Sequence, residues 1–301
     1  VTDVTPGEFE SPAFSAGGSA GFAFSPDSRE ICFSSNREQD PDARAWTTNK
    51  DLLVVPVTGG QAVNLTAGNR AYDGRPRYSP DGRYIAFLRQ STPGYEADRF
   101  RLALYDRRAG TVKVLTEGFD NWVLDFRWTG DSRALVFRAP RRGRFPLFRV
   151  TVADGTITPL AIPSVRRFDL PARGERLVFT HSSVDRPLEL FAAAAATGAD
   201  AMRLTHFNKP VTEAHDLRPV EELWIPGAGG KPVHTFVVKP HGFKPGRRYP
   251  LVLNVHGGPQ YQWADAFRGD WQIYPGAGYV VAFPNPHGSI GYGQDYTAAI
   301  S

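Results

Sequence analysis

His256-Gly257-Gly258-Pro259 closes the apolar run Leu251 to Val255 and is the segment of this chain best suited to acyl-transfer chemistry. Acyl transfer passes through a tetrahedral oxyanion, and a backbone N–H held rigidly beside it lowers the barrier by about 2.7 to 4 kcal/mol. Glycine lets a carbonyl approach that backbone with no Cβ in the way. The same four residues also suit a turn that ends a strand, and in isolation the two readings stand even. One G-x-S-x-G is present, Gly17-Gly18-Ser19-Ala20-Gly21. A nucleophile elbow needs a buried strand before its serine and a helix after it. Here a Gly-rich loop precedes Ser19 and the strand-like FAFSPD follows, so Ser19 is not expected to be a nucleophile. Gly288-Ser289-Ile290-Gly291 is likewise a loop after a strand. The seven histidines, His181, His206, His215, His234, His241, His256 and His287, contain no H-E-x-x-H and no closely spaced pair. No metal and no cofactor is expected, and His181 and His234, inside strand patterns, are expected as hydrogen-bonded structural imidazoles.

The elements that carry these residues begin with a repeat. FAFSPDSREICF, PRYSPDGRYIAF, FRWTGDSRALVF and FDLPARGERLVF share an apolar entry, a turn and an apolar run closed by Phe33, Phe87, Phe137 and Phe179, at intervals of 54, 50 and 42 residues. Between them lie four segments of apolar run, Gly-containing turn and second run, ending at Leu65, Leu115, Leu160 and Leu204. Each unit therefore holds two hairpins, and Pro80-Asp81-Gly82, Gly59-Gly60 and Asp154-Gly155 suit tight reversals. Four short strands per unit at this period describe a propeller blade, with about four blades present and the set incomplete. Val1 to Ala20 reads as the tail of a preceding unit. A β-sandwich competes locally but gives no reason to repeat the same turn residues at the same offset.

After Leu204-Thr205 the pattern changes. Residues 1–208 are read as the partial propeller, 209–219 as a linker, and 220–301 as the opening of an α/β domain. Leu251 to Val255 and Tyr279 to Phe283 lack polar alternation, the habit of strands buried on both faces. Gln262 to Gly276 is expected to form one crossover helix with Trp263, Phe267, Trp271 and Ile273 on one side.

Composition narrows the function classes. The 301 residues are 41% hydrophobic and 22% charged, enough apolar content for a sizeable core. The net charge of +4 is scattered in both signs, so no nucleic-acid partner is expected, and Arg141-Arg142-Gly143-Arg144 is read as a solvated hairpin tip. No apolar stretch approaches the roughly 18 residues of a membrane span, so no membrane partner is expected. The single cysteine, Cys32, excludes an intrachain disulfide, is read as a small buried apolar residue, and leaves cytoplasm and periplasm both open. Trp122, Trp128, Trp224, Trp263 and Trp271 are read as core or rim.

Blades with S-P-D-G turns, then ELWIPGAGGKPV, YPLVLNVHGGP and NPHGSIGYGQDYT, closely resemble the prolyl oligopeptidase family of serine peptidases, especially its acylaminoacyl-peptidase and dipeptidyl-peptidase-like branches. The resemblance covers essentially the whole chain. It implies a propeller over an α/β-hydrolase domain and hydrolysis of short peptides by a Ser, Asp, His triad. By that likeness Gly258 supplies an oxyanion-hole N–H. Gly257 and His256 face substrate, with His256 where some members carry an oxyanion-hole tyrosine, and Ser289 is structural. His287 departs from the family's N-x-R-G-S, replacing a permanently charged guanidinium. In this fold the elbow and the other triad members come later along the chain. Residues 1–301 are therefore expected to lie ahead of all three and not to turn over peptides alone, with a second chain or fragment as one way to complete the domain. An esterase or other amide hydrolase on the same scaffold, and a TolB-like propeller binding module, are the competing readings. The latter has no reason to carry the strands after Leu217.

Overall fold

In the computed structural model, residues 3–7, 9 and 21–300 are described; Ser19 and most of Val1 to Ala20 lie outside them. Four sheets have their strands in chain order. The first holds β1 (Phe22–Phe24), β2 (Glu30–Ser35), β3 (Asp51–Pro56) and β4 (Val63–Asn64), with α1 (Pro41–Trp46) between β2 and β3. The second holds β5 (Asp73–Tyr78), β6 (Tyr84–Arg89), β7 (Arg101–Asp106) and β8 (Thr111–Val114). The third holds β9 (Asp125–Trp128), β10 (Ala134–Arg138), β11 (Leu147–Thr151) and β12 (Ile157–Pro159). The fourth holds β13 (Arg167–Asp169), β14 (Arg176–Ser183), β15 (Arg186–Ala194) and β16 (Met202–Arg203), and is followed by α2 (Lys209–Ala214). The closing phenylalanines of the repeat, Phe33, Phe87, Phe137 and Phe179, are all buried.

The repeated turn has a repeated hydrogen-bond plan. Ser25, Ser79 and Thr129 each donate their hydroxyl to the aspartate two residues on, at 2.7, 2.6 and 2.6 Å. The same oxygens accept from Glu30, Tyr84 and Ala134 N–H at 3.1, 2.9 and 3.1 Å. The hydroxyl bonds hold Asp27 and Asp131 below the usual carboxylate range. This is why the S/T-x-D signature recurs: one short side chain satisfies both ends of the reversal.

Packing divides the chain into two units, 1–137 with 150–157 and 138–149 with 158–301. The first unit has a core of Cys32, Leu52, Tyr78, Ile85, Phe87 and Ala103. Burial there pushes the Cys32 thiol pKa up, as expected of an inert apolar filler.

The second unit contains a mixed sheet ordered β17-β18-β20-β19, from β17 (Val220–Pro226), β18 (Pro232–Val238), β19 (Leu251–Leu253) and β20 (Val280–Asn285). A 3-10 turn over 228–230 joins the first two strands. β18 runs antiparallel to β17 and β20, whereas β19 is parallel to β20. Parallel neighbours need a crossover, and it passes through α3 (Asp270–Gly276). α4 (Gln294–Ala298) follows β20. One sheet face carries Phe236, Val238, Val281 and Phe283, packed with Trp263 and Trp271 into the unit's core. Trp271 stacks on Phe283 with ring centroids 3.7 Å apart.

The crossover helix is shorter than its sequence suggests. Residues 262–269 are not helical, and Ile273 is 69% exposed while Trp263 and Trp271 are buried. The backbone groups that a helix would use are engaged elsewhere. Trp263 N–H donates to Asn285 Oδ1 at 2.6 Å, and Asp265 N–H to Gly143 O at 2.9 Å.

Candidate active site

β19 hands over directly to the glycine pair. Asn254 N–H still donates to Ala282 O at 2.8 Å, after which the chain leaves the sheet as the loop 256–262. Gly258 has φ +138°, and a Cβ there would sit 2.9 Å from Gln260 N, so the position requires glycine. Gly257 and Gly258 are exposed, and neither N–H donates to another backbone group among the described residues. An exposed pair of unengaged amides at the end of a parallel strand can receive an oxyanion.

A second loop, 286–292, fastens the first. His256 Nε2 lies 2.9 Å from Ser289 Oγ, and the buried Ser289 hydroxyl donates to Pro286 O at 2.6 Å. Ile290 N–H donates to Tyr261 O at 3.0 Å, and a Cβ on Gly288 would meet Pro259 at 3.1 Å. Asn285, fully buried at the end of β20, ties both loops together. It accepts from Trp263 N–H, returns a bond to Trp263 O at 3.0 Å and donates to the Tyr292 hydroxyl at 2.9 Å. His256, Gly257 and Gly258 thus share one loop. Ser289 is bonded to it, and His287 lies against Tyr296 with ring centroids 4.4 Å apart.

Beside these loops is a polar chain that sequence patterns did not reveal. Fully buried His234 has Nδ1 2.7 Å from the Tyr292 hydroxyl and Nε2 3.1 Å from Glu222 Oε2. Glu222 in turn accepts from Arg144 at 2.5 Å. Since Asn285 donates to the Tyr292 oxygen, the Tyr292 hydroxyl is free to donate to Nδ1, which leaves Nε2–H for Glu222. Burial pushes the His234 pKa down, and keeps this tautomer uncharged. Burial works to raise Glu222, but the Arg144 bond and charge together with the His234 bond outweigh it and hold the carboxyl below the ordinary range. Trp224 stacks on the imidazole, centroids 4.8 Å apart.

Arg144 is also where the solvated-tip expectation fails. Gly143 is buried at φ +68°, its N–H donating to Gln262 Oε1 at 3.2 Å, and an added Cβ would overlap the Phe236 ring. Gln262 returns a bond to Arg144 O at 2.9 Å, and Arg142 N–H reaches Gly291 O at 3.0 Å. Arg141 and Arg142 remain exposed. His181 Nδ1 lies 2.9 Å from Ser164 O, a structural imidazole. Among the described residues no three His, Cys, Asp or Glu side chains are grouped to hold a metal, and no helix is long and apolar enough to cross a membrane.

No family model matches the chain. Dipeptidyl-peptidase 5 of Porphyromonas gingivalis is 30% identical over 302 residues, 99% of this chain and 44% of that protein. Dipeptidyl-peptidase 5 of Trichophyton tonsurans is 31% identical over 312 residues, 97% of this chain and 42% of that protein. The chain thus spans less than half the length of these curated relatives. Among solved structures, an acylaminoacyl peptidase of Pyrococcus horikoshii superimposes with a TM-score of 0.74 at 21% identity, covering 90% of this chain and 41% of that one. A Mycobacterium tuberculosis puromycin-hydrolyzing peptidase gives 0.66 at 17%, covering 91% and 43%. These neighbours contain propellers, and the chain-ordered four-stranded sheets, none of them closed, are consistent with blades of an incomplete one. Sequence likeness along nearly its whole length, together with this fold, makes the chain a member of the prolyl oligopeptidase family of serine peptidases.

Proposed function

We propose that the whole protein hydrolyses short peptides by serine acyl transfer, as a dipeptidyl- or acylaminoacyl-type peptidase, and that this chain supplies one side of its oxyanion hole. Gly258 N–H receives the developing charge, while Gly257 keeps the approach open to the substrate carbonyl. Residues 220–301 are taken as the opening of an α/β-hydrolase domain, 1–208 as propeller blades and 209–219 as the connection. The nucleophile, acid and base come from the rest of the protein, so residues 1–301 alone do not turn over peptides. The observation that carries this reading is the unengaged glycine pair at the end of β19, in a chain 30% identical to a dipeptidyl-peptidase. A second observation supports the hydrolase assignment. β19 is an edge strand whose Leu251 and Leu253 are each 60% exposed, with Val255 at 56% just beyond it, a face that in an α/β sheet is covered by further elements.

The test compares the whole protein with residues 1–301 on dipeptidyl and acyl-aminoacyl anilides and on acyl esters, with and without a serine-directed phosphonate. Cleavage of anilides by the whole protein alone, abolished by the phosphonate, is expected. Gly258→Ala should lower kcat by about 100- to 1,000-fold. Ester cleavage without anilide cleavage would turn the reading to an esterase. Full activity in Gly258→Ala would remove the oxyanion assignment.

A further inference from the structure

The family likeness places His256 where a side-chain oxyanion donor stands in some members, yet the geometry does not leave its ring free to donate. Nδ1 lies 2.9 Å from Gly257 O, and Nε2 lies 2.9 Å from Ser289 Oγ. Gly257 O can only accept, and Ser289 spends its only hydrogen on Pro286 O at 2.6 Å, so both ring nitrogens face acceptors within the two loops, and whichever carries a proton already has a partner. The ring is also wedged edge-on between Tyr261 and Trp263, with centroids at 5.4 and 6.0 Å and interplanar angles of 71° and 81°. A rotation that aimed either ring nitrogen at a substrate would break the Ser289 contact and open both aromatic contacts. Ser289 itself cannot move to follow, being 1% exposed, with its backbone carbonyl accepting from the Thr297 hydroxyl at 3.0 Å.

We infer that His256 and Ser289 form a positioning pair: the contact of Nε2 with Ser289 Oγ, at 2.9 Å, anchors the first residue of the glycine loop to the 286–292 loop and thereby fixes where the Gly258 N–H stands. The inference rests on the oxyanion role proposed for Gly258 and assigns the imidazole to loop geometry in place of substrate contact. Glycine at 257 and 258 gives the loop wide backbone freedom, which costs the site its preorganisation unless something outside the loop holds it. The pair holds its N-terminal end, and the Ile290 N–H bond to Tyr261 O, at 3.0 Å, holds its C-terminal end. A displacement of about 1 Å at a reacting centre can cost about 100-fold in rate.

Two measurements test the pair independently. In residues 1–301, the 15N–1H heteronuclear NOE of the Gly257 and Gly258 amides should be that of a rigid backbone. It should fall in Ser289→Ala and in His256→Phe, and recover in His256→Gln, whose amide can still donate to Ser289. Unchanged values in Ser289→Ala overturn the inference whatever the whole protein catalyses. In the whole protein, the same two disrupting variants should lower kcat on a peptidyl anilide by about 10- to 100-fold, with KM within about threefold. They should weaken a peptide aldehyde, which forms the tetrahedral adduct, by the same factor, and the double variant should cost no more than either single one. A loss confined to His256→Phe, with Ser289→Ala unchanged in kcat, would identify the imidazole as a direct donor and overturn the inference. A wild-type whole protein inert to every anilide would instead refute the peptidase reading, leaving the NOE to judge the pair.

Discussion

Tyr292→Phe is the sharpest test of the polar chain beside the glycine loop. The hydroxyl makes two contacts to fully buried partners, His234 Nδ1 at 2.7 Å and Asn285 Nδ2 at 2.9 Å. Phenylalanine keeps the ring and its packing but strands one acceptor on His234 and one of the two Asn285 amide hydrogens. Each buried group left unpaired costs about 1–3 kcal/mol, so the two together should cost about 2–6 kcal/mol. The loss should be local to the unit of 138–149 and 158–301, since both partners lie there. The assay is equilibrium urea unfolding of the chain followed by tryptophan fluorescence, to which Trp224, Trp263 and Trp271 contribute. Tyr261→Phe is the control: Tyr261 is 44% exposed, and deleting its hydroxyl should change stability by less than about 0.5 kcal/mol. A Tyr292→Phe loss as small as that control would refute the reasoning, because it would mean that the His234 and Asn285 atoms find other partners at no cost.

Gly143→Ala should destabilise the chain by about 2–4 kcal/mol, from overlap with the Phe236 ring and a left-handed backbone that alanine resists; a shift below about 0.5 kcal/mol in urea unfolding would show that the 138–149 loop does not pack as described. Burial pushes the Asp73 carboxyl up to about 7, opposed by Arg89 and reinforced by Asp51. The folded chain then keeps a proton that the unfolded chain releases above about pH 4, so stability should decline as pH rises from about 4 to about 7 and level off beyond. Asp73→Asn should flatten that decline and raise the thermal midpoint at pH 8, and a pH profile indistinguishable from wild type would refute the assignment.

Much of the propeller part was legible because its signals are local. The S/T-x-D turn is written in three adjacent residues, and the strand closed by Phe33, Phe87, Phe137 and Phe179 repeats at intervals of 54, 50 and 42 residues. The glycine pair was legible for the same reason: a β-rich run ending in His-Gly-Gly-Pro predicts a strand that stops at a turn, and β19 does so. The failures share a cause too. Arg141 to Arg144 has the composition of a solvated tip, and Gln262 to Gly276 has the apolar spacing of a helix. Each conformation is decided by a partner far away in sequence, Gly143 by Gln262 and Phe236, and Trp263 by Asn285.

Residue types and their spacing determined which turns form, which strands are apolar, and that position 258 must be glycine to adopt φ +138°. Only the tertiary structure decided that His234, shown by its strand pattern to be structural, sits in a chain from Arg144 to Asn285, and that the His256 ring is spent on Ser289. The physical reason is range. Backbone preference and hydrophobic period act over a few residues, whereas a hydrogen bond between side chains 33 positions apart exists only once the folded sheet has brought two strand ends together.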